Sequence, residues 1–181
     1  MKTLKHTTVT SNLGKIVKPP AIFLLFGLMG FTFLAKAQEN RVPKFQAEKA
    51  RHLNSAWQHF KMGRAGHEDS LAISAFHFYH ASGNCFKIVG RASAMGNGIP
   101  LIDFREMYIC LGRVQGIREI VNATCRSKAV IWNANNHGKL ANNFFNDLQN
   151  KRQPRGCTKQ QVWKWAAEGY QQMIAEWNAL N

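Results

Sequence analysis

Acidic residues are scarce in this chain. It has 10 Asp and Glu against 24 Lys and Arg, and residues 1–37 contain no acidic residue at all. Low-complexity runs and internal repeats are absent, so neither a repeat array nor a polar disordered tract is in view. No C-x-x-C or H-x3-H spacing occurs, so the Cys and His residues do not spell a zinc site. No Asn-Gly pair sits between alternating apolar residues, which removes the usual hairpin signal; Asn97-Gly98 falls in a Gly- and Ser-rich stretch instead. Long apolar runs are limited to one, residues 21–34.

That run, AIFLLFGLMGFTFL, is shorter than the roughly 20 apolar residues a spanning helix wants, and it is interrupted by Gly27 and Gly30. Lys2, Lys5, Lys15 and Lys18 precede it, and Ala35-Lys36-Ala37 follows. A cationic segment, a short apolar segment and an A-x-A site describe a secretory signal peptide, residues 1–37, cut after Ala37. The working protein is then 38–181, one domain of 144 residues, exported to the periplasm with no stable membrane insertion after cleavage. It keeps 19 Lys and Arg against 10 Asp and Glu. In the cytosol such a balance would suggest nucleic acid. In an exported protein no nucleic-acid partner is expected, and an acidic protein, anionic headgroups or a wall polymer are the better candidates.

All four cysteines, Cys85, Cys110, Cys125 and Cys157, lie in this domain. An even count in an oxidising compartment reads as two disulfides. Cys110 and Cys125 bracket a helical pattern that would hold them roughly 22 Å apart, so they do not pair. Pairing 85–110 with 125–157 is the more local of the two remaining schemes and is favoured over 85–125 with 110–157.

Apolar spacing is helical almost throughout. Ala50, Leu53, Trp57 and Phe60 predict one amphipathic helix over 46–61. A second, capped by Asp69 or Ser70, carries Leu71, Ile73, Phe76 and Tyr79 and stops near Gly83; a short one follows over 83–90. Residues 90–100 read as a loop. Asp103 is the expected cap of a long helix holding Met107, Cys110, Leu111, Val114, Ile117 and Val121. A polar loop over Asn133–Lys139 precedes a helix with Leu140, Phe144, Phe145 and Leu148. Pro154 and Gly156 break the chain, and Thr158-Lys159-Gln160-Gln161 is a capping box opening the last helix. The fold class is all-α: a small single-domain helical bundle stapled by disulfides.

Catalytic sets are missing from the pattern. His77-Phe78-Tyr79-His80 puts two imidazoles on one helix face, half of a metal site at most, and no carboxylate motif completes it. A Cys nucleophile needs a free thiol, which the disulfide reading denies. Glu106 and Glu119 would stand roughly 20 Å apart on one helix, too far for either glycosidase geometry. No catalytic residue, cofactor or metal is expected.

One segment is more specific. In Cys110-Leu111-Gly112-Arg113-Val114-Gln115-Gly116-Ile117, Gly112 and Gly116 lie one turn apart on one face. Glycine costs about 1 kcal/mol inside a helix, so the pair predicts a close approach by another backbone. This segment resembles the C-x-G-Y-I-x-G-V-x-D helix of the Rap/Tai family of type VI secretion immunity proteins, with Arg113 in place of the family Tyr and Glu119 where Asp is usual. Gly83-Asn84-Cys85-Phe86 is similar to the family's upstream G-N-x-L-x-x-x-C segment. Cys157-Thr158-Lys159-Gln160-Gln161-Val162, followed by Tyr170, is similar to its downstream capped helix. The resemblance spans about 82–177. It implies a periplasmic protein, not an enzyme, that binds and inhibits a peptidoglycan amidase effector. The alternative is a non-enzymatic periplasmic structural or adaptor protein with a basic surface.

For partner binding, polar loops are better candidates than apolar stripes. Asn133, Asn135, Asn136 and His137, beside Trp132, form one such segment, and Asn97 marks the other. The stripe with Trp163 and Trp165 reads as core or as a homodimer face.

Overall fold

The computed structural model describes residues 41–150 and 156–179, so the expected signal peptide lies outside the described residues. Five helices follow one another: α1 (Val42–Arg64), α2 (Glu68–Ala94), α3 (Leu101–Thr124), α4 (Lys128–Gln149) and α5 (Lys159–Asn178). They fall within one compact unit, Lys36–Asn181, and no strand occurs among the described residues. The all-α expectation holds. None of the described helices is long and apolar enough to cross a membrane.

Helix α3 is the centre. Every residue from Met107 to Val114 is buried, which a helix achieves only when other helices cover it on several sides. Its neighbours are α2, α4 and α5, while α1 packs on the outside of α2. Where α3 meets α5, the backbones nearly touch. A Cβ on Gly112 would lie 1.8 Å from the carbonyl oxygen of Ala166, and one on Gly169 would lie 2.0 Å from that of Ile109. Gly116 fits the same crossing, against Tyr170 and Met173. Glycine is the only residue these three positions admit without moving a helix.

Local sequence sets most helix ends. Pro43 occupies the first turn of α1, and Glu68 and Asp69 the first turn of α2, where carboxylates suit the helix dipole. The side chain of Ser127 accepts from the Val130 amide, and that of Thr158 from the Gln161 amide at 3.1 Å. The Glu68 carboxylate also accepts from the amides of Arg126 and Ser127, so the start of α2 holds the start of α4.

Four expectations need correction. First, α2 runs unbroken through Gly83 and Gly90, and the α2–α3 turn shrinks to 95–100, where Gly96 and Gly98 take positive φ. Burial of Ala81, Ser82, Asn84, Cys85, Ile88 and Val89 against the core carries the helix past both glycines. Second, α3 begins at Leu101, before Asp103, and Asp103 sits in its first turn, buried and 2.6 Å from the Lys49 ammonium. Third, the polar loop at Asn133–Lys139 is helical, inside α4. Ala134, Gly138 and Ala141 form a small-residue strip turned to the core, with Gly138 receiving the Arg118 stem, and this packing overrides the weak helix propensity of asparagine. Fourth, the disulfide staples are not formed: Cys85, Cys110, Cys125 and Cys157 are all free thiols. Cys110 instead lies 3.6 Å from a Glu106 carboxylate oxygen, and Cys125 is 3.9 Å from the Thr124 hydroxyl.

Candidate functional site

Beside the Gly112 crossing, α3 carries a charge that its surroundings had to accommodate. Arg113 is buried and lies over the rings of Trp57 and Phe78, at 5.4 and 5.2 Å. Its guanidinium donates to Glu106 at 2.7 Å and to Gln172 at 3.0 Å. A planar cation can occupy an aromatic-lined slot in this way only if its donors are also satisfied. The network takes in the Cys110 thiol, which donates to the same Glu106 carboxylate and accepts from Arg113. Burial pushes the neighbouring Cys85 thiol up to about 12 and holds that of Cys110 well above its ordinary value.

The proposed partner-binding residues divide. Asn135 is engaged inside the fold, accepting from Arg118 at 2.8 Å and exchanging hydrogen bonds with Asn122. It fastens α4 to α3. Asn133 and Asn136 are exposed on α4, with Trp132 (67% exposed) beside them. Asn97 is exposed but stands apart in sequence, in the α2–α3 turn. The Trp163–Trp165 stripe also splits. Trp165 is buried against Phe104 and Tyr108, whereas Trp163 is 58% exposed and set edge-on to Phe145.

His137 points to the site that sequence reading missed. It packs on Phe76 of α2, with ring centroids 5.6 Å apart, and the two helices enclose a cleft of about 500 Å3. Asp69, Ile73, Phe76 and His77 line one wall, and Val130, Asn133 and His137 the other. Ile73 and Phe76 are among the few large apolar side chains left exposed, although their spacing had assigned them to the core stripe. The signal for this was present: with Leu71, Ala72, Ala75 and Phe78 all apolar, α2 has more apolar positions than one core-facing stripe requires.

From the cleft wall, His77 reaches back into a group with His52 and His59 of α1 and His80 of α2. Burial, chiefly, holds His52, His77, His80 and His137 below the ordinary imidazole value, with His77 lowered to about 4. No group of three or more His, Cys, Asp or Glu among the described residues is arranged to hold a metal ion.

A second groove, about 380 Å3, lies between α3, α4 and α5 over Leu111, Gly112, Phe145, Trp163 and Tyr170. Its polar groups are partly engaged by the fold: Gln115 donates to the Gly138 carbonyl and the Tyr170 hydroxyl to Glu119. The α2–α4 cleft, with exposed apolar side chains and imidazoles on both walls, is the stronger candidate for recognition. Comparison of the chain with protein-family models, with curated proteins and with solved structures finds no match in any of the three.

Proposed function

We propose that this chain is an exported immunity protein that binds a peptidoglycan amidase effector of a type VI secretion system and blocks it stoichiometrically, docking through the α2–α4 cleft. What supports the reading is the spatial convergence of the three segments that resemble the immunity family. Asn84 and Cys85 are buried on α2, Cys110–Gly116 line the heart of α3, and the Thr158-capped helix α5 crosses Gly112 and Gly116. Three separate motifs thus serve one packing unit. Residues shared for the sake of a frame leave recognition to the faces that the frame presents.

Inhibition by binding asks for no chemistry from the inhibitor, only a preorganised surface. The cleft offers Ile73 and Phe76 as apolar anchors, ringed by Asp69, Asn133 and His137. The test is co-export with a peptidoglycan amidase effector of a type VI secretion system from the same genome. Growth should be rescued, purified protein should abolish wall hydrolysis near a one-to-one ratio, and the protein alone should hydrolyse nothing. An amidase that stays active in vitro and lethal with this protein co-exported would refute the proposal and leave the adaptor reading.

A further inference from the structure

Four imidazoles run in an unbroken row across the seam between α1 and α2. His59 stacks on His77, with centroids 5.7 Å apart and planes 18° apart. His77 meets His52 through their Nδ1 atoms at 2.9 Å. His52 in turn stacks on His80, at 5.4 Å and 20°.

The central contact has a definite character. The His52 and His77 centroids are 5.1 Å apart, so their separation exceeds the nitrogen distance by about two ring radii, and the nitrogens face each other head-on. That is the geometry of one N–H donated to one lone pair. Two ligands turned towards a common ion would have their lone pairs converge instead, and stacked rings do not converge either. A neutral imidazole has one donor and one acceptor, so the pair is satisfied by a single proton between them. A second proton there would set N–H against N–H and cation against cation.

The surroundings give no counter-charge sufficient for the whole row. From α1, Glu48 favours the charged form of His52, and Arg51 opposes it. From α2, Lys87 opposes charge on both His52 and His80, while Asp69 lines the same cleft wall as His77. From α4 comes only another imidazole, His137. Nearby, the seam is held by different means: Ser74 donates to the Ala56 carbonyl at 2.8 Å, and Trp57 packs edge-on to Phe78.

We propose that this row is a proton-operated latch: neutral, it fastens α1 to α2 at the cleft wall, and protonated beyond one shared proton, it releases that part of the seam while the rest of the bundle stays packed. The device is complete within this chain and does not depend on what occupies the cleft.

Amide hydrogen exchange of the purified protein, corrected for intrinsic rates, tests it between pH 7.5 and 5. Protection of α1 and of the facing turns of α2 should fall about tenfold on acidification, with α3 and α5 unchanged. The double variant His52→Gln/His77→Gln, which cannot take up the protons, should lose that pH response. His67→Gln, an exposed histidine outside the row, should retain it. Unchanged α1 protection in the wild type, or an equal fall in the double variant, overturns the latch. Should the double variant fail to fold, imidazole titration of the wild type by nitrogen NMR decides. Two well-separated proton uptakes at the His52–His77 pair support the latch, and two independent uptakes near the ordinary imidazole value overturn it.

Discussion

Gly112 on α3 lies directly beneath the carbonyl of Ala166 on α5, so close that a single added methyl group would sit 1.8 Å from the oxygen. Because the obstacle is backbone, no rotamer change can relieve it. Gly112→Ala should therefore cost about 3 kcal/mol, read as a shifted urea midpoint, and Gly169→Ala about as much. A loss below about 1 kcal/mol would mean that the two helices can separate cheaply.

The buried guanidinium makes the next prediction. Arg113→Ala removes the partner of Glu106 and Gln172 and leaves a gap between Trp57 and Phe78. A loss of about 3 kcal/mol is expected, because a part-buried carboxylate is left without its ion pair. Arg113→Met with Glu106→Gln fills the slot without charge and should recover most of that loss, as a double-mutant cycle would show.

Acid should weaken the protein before it protonates the native state. His77 titrates at about 4 in the fold against about 6.5 in the unfolded chain, so the unfolded state takes up its proton first as the pH falls. The stability tied to neutral His77 is complete above about 6.5 and is lost as the pH drops from there through about 4. Urea unfolding at pH 7 and pH 5 should differ by about 1 kcal/mol from this group, allowing for solvent screening of a part-exposed ring, and the difference should shrink in His77→Gln.

Thiol chemistry separates the cysteines into two pairs. Cys125 and Cys157 are half-buried and should react with a thiol reagent in the folded protein. Cys85 and Cys110 are fully buried and poorly ionised, and should react only on unfolding. Peptide mapping of unreduced protein should find all four free; a bridge between any two would contradict the thiols described here.

Recognition and folding should come apart on α4. Asn133→Arg alters an exposed side chain on the cleft wall and should leave stability within about 0.5 kcal/mol while weakening binding to the amidase at least tenfold. Asn135→Ala should do the opposite. It releases Arg118 and Asn122, costs about 1 kcal/mol, and leaves affinity unchanged.

Helical periodicity, Gly112 with Gly116, and the Thr158 cap were readable from the sequence because each is a local rule expressed within one or two turns. The breaks placed at Gly83, Gly90 and Asn133–Lys139 were misread for the converse reason. Glycine and asparagine weaken a helix locally, but Ile88, Val89, Ala134 and Ala141 are held by the core from outside their own turns. The four histidines of the row are spread over 52–80, and no spacing rule announces that α1 and α2 bring them into one row. The cleft escaped for the same reason, since Phe76 and His137 meet only when α2 and α4 flank α3. Cysteine parity encouraged a pairing that the packing of Cys110 against Glu106 and Arg113 does not use.

The central position of α3 bears on how the chain can be cut. Its strip at Ile109, Gly112 and Gly116 is covered by α5, which begins at Lys159. A chain ending before that helix would keep every residue of α1 to α4, yet would expose a backbone groove and a line of apolar side chains with nothing to lie on them. Such a fragment would collapse loosely or seek a stand-in helix from another molecule. The last twenty residues of helix are thus the lid that completes the interior.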